Sequence, residues 1–155
     1  MPMVTVIYFL HVLLAFTAIA FLVVPGLILE MAARTKDVPF IRRLFRLATF
    51  HGRVGGIISL LTAIVGFVVA WRLGIPLNAG WLIAAYVVFV VVMILGMGYH
   101  ARREMRIAML AAASPDGAPS PELAAAIDDP LAIPIFWASG ILWILLIWLM
   151  VARPF

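Results

Sequence analysis

The chain contains no cysteine, which removes disulfides, thiolate metal sites, iron–sulfur clusters and covalent haem attachment through a Cys-x-x-Cys-His motif. Charge is also scarce: 12% of the 155 residues are charged, against about 25% in an ordinary soluble domain. The long apolar runs contain no Asp or Glu. That argues against a proton pump built on a carboxylate relay and against a hard-cation channel, both of which need oxygen ligands.

What the sequence has in quantity is apolar residues, 66% of the chain. A helix needs roughly 20 predominantly apolar residues to cross about 30 Å of hydrocarbon. Four stretches qualify, at about residues 4–29, 54–73, 80–100 and 131–152. The expected fold is all-α: a polytopic four-helix transmembrane bundle forming one membrane domain over residues 1–155. The first stretch lacks a basic leader and runs too long for a signal-peptide core, so it reads as a retained helix. Nine of the eleven basic residues lie on one side: Arg34, Lys36, Arg42, Arg43, Arg46, Arg53, Arg102, Arg103 and Arg106. The positive-inside rule assigns that side to the cytoplasm and puts both termini outside. The net charge of +4 suits anionic lipid headgroups and gives no support to nucleic-acid binding. Compact loops suit a bacterial cytoplasmic (inner) membrane.

The basic loop between the first two spans alternates apolar and basic residues at helical spacing, with Pro39 suited to a first turn, and predicts an interfacial helix at about 39–50. Gly74-Ile-Pro-Leu-Asn-Ala-Gly80 is a short turn, which predicts that spans two and three are antiparallel neighbours. Residues 103–130 read as a cytoplasmic linker holding a short helical turn at Glu122 to Ile127.

All three histidines lie in or at the ends of spans: His11, His51 and His100. Ionisable residues in a membrane are costly and therefore mark candidate sites. From the rise of about 1.5 Å per residue, His51 and His100 end at nearly the same level near the cytoplasmic face, while His11 lies on the order of 20 Å away. Each has a small residue four positions toward the membrane centre: Ala15 for His11, Gly55 for His51 and Gly96 for His100. Residues four apart share a helix face, so a flat macrocycle ligated by such a histidine has clearance. Imidazole is a common axial ligand of haem iron, and Arg46, Arg53, Arg102 and Arg103 would suit haem propionates. The structural alternative is that Gly52-x-x-x-Gly56 and Gly96 only allow close helix packing and that the arginines are topology anchors.

The helix-one pattern Tyr8-Phe-Leu-His11, the glycine-rich second span, Gly98-Tyr99-His100 closing the third and the ending Arg153-Pro-Phe155 resemble the bacterial four-helix protoporphyrinogen IX oxidases of the HemJ type. They are also similar to small integral membrane proteins of unknown function grouped with the copper-resistance-protein-D membrane domain. The resemblance implies a membrane haem b protein with an oxidoreductase role, in which His11 and His100 match the family's histidines. Where the oxidase pattern has a His-x-Lys pair near the start of helix three, this chain reads Trp81-Leu-Ile-Ala-Ala-Tyr86, and the span holds no lysine.

Depth thus pairs His51 with His100, and the resemblance pairs His11 with His100. The expected ligand class is a porphyrin or a quinone. Two other readings stand beside the haem protein. In one, the chain is a non-catalytic small subunit or assembly factor that meets a membrane partner or a second copy through the Gly52–Gly56 face. In the other it handles copper, although Met93, Met97 and Met105 form no tight thioether cluster.

Overall fold

The structure, a computed structural model, describes residues 2–154, so Phe155 of the terminal pattern lies outside the described residues. It is all-helical, with no strand among them. The helices are α1 (Pro2–Arg34), α2 (Val38–Phe45), α3 (Ala48–Arg72), α4 (Gly80–Ile94), a π-helical segment (Leu95–His100), α5 (Ala101–Ala113), α6 (Pro121–Ile127) and α7 (Ala132–Ala152). Four continuous helical stretches are long and apolar enough to cross a membrane. Their exposed faces carry large apolar side chains, such as Ile57, Ile64, Ile94 and Ile144, which suit lipid rather than water.

Three helix boundaries differ from those that the apolar runs suggest. α1 runs to Arg34 and is closed by the Arg34–Glu30 ion pair one turn apart. The expected interfacial helix ends at Phe45, and Ala48 to Phe50 already belong to α3. The segment expected as a linker is helical through Ala113, because Ala101 to Ala113 are mostly strong helix formers and Ile107 and Ala111 are buried.

These extensions at the basic end build their own core. Leu29, Val38, Ile41, Phe45, Ile107, Leu123 and Ile127 form one buried cluster under α2, α5 and α6. Arg42 fastens the 114–120 loop over it, donating from Nε to Ala111 O at 3.0 Å and from a terminal nitrogen to Ser114 O at 2.8 Å. Asp37 caps α2 by accepting the Phe40 N–H at 3.0 Å. Asp37→Ala is expected to cost about 1 kcal/mol, read as a small drop in melting temperature in detergent, with the membrane-embedded helices unchanged by circular dichroism.

Within the bundle, α1 packs closely along α3, and α4 along α7. The small face of α3 does the first: Gly55 meets Leu22, Ser59 is fully buried, and Gly66 meets His11. Spans two and three, α3 and α4, meet through Ala70, Trp81 and Leu82 near their connecting turn. Each packs mainly against another helix, and the space between the α1/α3 and α4/α7 pairs is taken up by two cavities, one near each end of the bundle.

Candidate functional site

The inner cavity, toward the basic end, has a volume of about 450 Å³, within the 300–1,000 Å³ range usual for cofactor pockets. Its walls come from every transmembrane helix, and five of its residues are glycines: Gly26 of α1, Gly52 and Gly56 of α3, Gly96 of the π-helical segment and Gly140 of α7. A Cβ added at any of these five would meet nothing within 4 Å. Leu22, Val92, Phe136 and Trp143 are among its other lining residues, and the cavity is mostly apolar.

His51 and His100 both line it. His51 is 8% exposed, and its Nδ1 faces Phe21 O at 3.3 Å. A carbonyl oxygen only accepts, so in neutral imidazole Nδ1 carries the proton and Nε2 keeps its lone pair. That Nε2 is buried without a hydrogen-bond partner, and Glu104 Oε2 lies 3.4 Å from it. His100 Nε2 is 3.0 Å from Ser139 Oγ on α7.

The local helix geometry helps to place His100. Gly96 and Gly98 loosen the α4 helix into a π-helical turn in which the Ala101 N–H reaches back to Gly96 O. Such turns recur at functional sites because they re-aim side chains. Tyr99, beside it, donates to Asp129 Oδ2 at 2.9 Å, and Asp129 also accepts the Leu131 N–H. This ties the π-helical segment to the entry of α7.

The apolar runs themselves hold no Asp or Glu, yet Glu30 and Glu104, which follow them on α1 and α5, both line the inner cavity beside the histidines. Arg103 donates to Glu30 Oε2 at 2.7 Å and to Ile127 O at 3.1 Å, while its Nε is buried without a partner. Among the described residues, no group of three His, Asp or Glu is close enough to hold a bare metal ion.

The other expected residues fall elsewhere. Gly55 does not open onto the cavity, since a Cβ there would lie 2.5 Å from Leu22 Cδ2; Gly52 and Gly56 take its place in the wall. Arg46, Arg53 and Arg102 are exposed, and of the four candidate arginines only Arg103 reaches the cavity. Gly52 and Gly56 both line the inner cavity and remain partly exposed. His11 lines a separate outer cavity of about 230 Å³, and only Trp143 belongs to both walls. There His11 Nδ1 faces Thr62 O at 3.0 Å and the ring lies against Gly66.

The profile of a family described as predicted integral membrane proteins, DUF2269, matches residues 5–154 of this chain. The chain belongs to that family. No curated protein and no solved structure matches it. In this DUF2269 protein, sequence reasoning missed Glu30, Glu104, Gly26, Gly140 and Ser139. Helical spacing did carry part of the signal: Glu104 is four residues after His100 and Glu30 four after Gly26, each on the face of a cavity residue.

Proposed function

We propose that this integral membrane protein binds a haem b, or a closely related tetrapyrrole, in the inner cavity and serves as a membrane redox carrier. The observation that carries this reading is the wall of five glycines with open space at each Cβ position, combined with two histidines in one cavity. A planar ring needs such clearance, whereas a chain built only for tight helix packing would close it. The Nε2 of His51, which makes no hydrogen bond but faces Glu104 at 3.4 Å, suits an axial nitrogen once that carboxylate moves aside, with its Nδ1–H held by a backbone carbonyl. His100 supplies the second candidate nitrogen, with Ser139 positioning its ring. The unpartnered Nε of Arg103 and the cation itself suit a propionate. When bound, haem iron supplies one-electron chemistry, with a potential tuned by its ligands and burial. The likeness to HemJ-type oxidases supports the same cofactor. Trp81 to Tyr86 contain no basic group to hold substrate carboxylates, which favours electron transfer over protoporphyrinogen oxidation.

Titrating haemin into detergent-purified apoprotein tests the assignment. Wild type and His11→Ala are expected to saturate at one equivalent with a sharp Soret band. His51→Ala and His100→Ala are expected to bind at least about tenfold more weakly or with a shifted band, as loss of an axial ligand implies. Retention of wild-type affinity and spectrum by the His51→Ala/His100→Ala double variant would overturn the assignment.

A further inference from the structure

The outer cavity is a different kind of site. It is about half the volume of the inner one, about 230 Å³ against about 450 Å³, which suits a single or fused small ring rather than a macrocycle. Phe16, Phe67, Trp81, Phe89 and Trp143 line it with aromatic surface. Phe16, Phe67 and Val151 in its wall are half exposed or more on the outside of the bundle, so the cavity communicates sideways with lipid. A ligand that reaches it is therefore dissolved in the bilayer.

His11 is the one imidazole in this wall, which also carries Tyr8, Ser59, Thr62, Tyr86 and Arg153. Its Nδ1 lies 3.0 Å from Thr62 O, and because that carbonyl only accepts, neutral imidazole keeps its proton on Nδ1. Nε2 then presents a lone pair, and among the described residues the hydrogen bond of this ring is the one at Nδ1. The ring is held flat by Gly66, where a Cβ would come within 2.6 Å of His11 Cε1. An aromatic cavity with a histidine acceptor fixed by its tautomer, entered from lipid, suits a flat lipid-soluble molecule that carries an O–H donor.

We propose that the outer cavity binds the ring of a membrane-soluble quinol, whose phenolic O–H donates to His11 Nε2 while the aromatic side chains hold the ring. In this tautomer His11 accepts the hydroxyl of the reduced form, a donor that the oxidised quinone lacks. The proposal does not depend on what the inner cavity holds.

The test measures decylubiquinol binding to the purified full-length protein under anaerobic conditions, read by quenching of tryptophan fluorescence, with the redox-inert dimethyl ether of the same quinol as comparison. Saturable binding is expected, about tenfold weaker for the ether and for His11→Leu, the size of one lost hydrogen bond to a desolvated acceptor. Ala15→Phe, which fills the cavity one turn from His11, is expected to abolish saturation with His11 intact. Equal affinity for quinol and ether, or quenching that Ala15→Phe leaves unchanged, would overturn the proposal. Both comparisons stand even if His11→Leu does not fold.

Discussion

Replacing Glu30 with leucine is expected to destabilise the protein by about 3 kcal/mol or more, the usual cost of leaving one member of a buried ion pair uncompensated. Arg103 is 12% exposed and would keep only the Ile127 carbonyl as a partner. The other partner of Glu30, Arg34, is half exposed, so its loss adds little. The pairing has a diagnostic consequence. Glu30→Leu combined with Arg103→Leu should recover most of the loss, because two apolar side chains leave no charge to desolvate. Thermal unfolding in detergent measures all three variants. A Glu30→Leu protein within about 0.5 kcal/mol of wild type would show that the pair is hydrated and that the cavity does not close around it.

Filling the inner cavity gives the second large effect. Gly56→Leu adds a side chain where nothing lies within 4 Å, so the apoprotein should melt close to wild type while haemin affinity is lost. Gly55→Leu, one residue away, should do the reverse. Its new side chain collides with Leu22, and overpacking of that kind costs about 1–3 kcal/mol, while the added atoms themselves start on the α1 side of α3 and reach the cavity only through a shift of Leu22. The two variants have identical composition and near-identical position, so opposite outcomes would report the facing of α3 and nothing else. Equal loss of haemin binding in both would mean that the effect came through folding.

The contrast between these neighbours shows where sequence reasoning stops. The four spans were legible because hydrocarbon thickness demands long apolar runs, and the matching depth of His51 and His100 followed from helical rise alone. Which of Gly52, Gly55 and Gly56 faces the interior was not legible. It depends on how α3 is rotated, and that is set by Leu22 and His11 on α1. Glu30 and Glu104 were missed for a related reason. Apolar composition marks where lipid ends, whereas helices run on beyond it, so Glu30 and Glu104, just past the apolar runs, still line the cavity of the bundle. The π-helical turn at Leu95–His100 left only a faint trace, two glycines in an otherwise apolar helix.

Arg103 illustrates the same point from the other side. By composition it is one of several arginines that anchor topology, indistinguishable from Arg102 beside it. The structure turns Arg102 outward and Arg103 onto Glu30 in the cavity wall. One step of 100° around a helix separates an anchor from a candidate propionate partner.

The central claim, that the inner cavity is a tetrapyrrole site, is tested most directly by the absorption spectrum and iron content of the protein purified from membranes of haem-replete cells. One haem per chain is predicted, with a Soret band that disappears in Gly56→Leu and persists in Gly55→Leu. A folded, colourless, iron-free protein would contradict it.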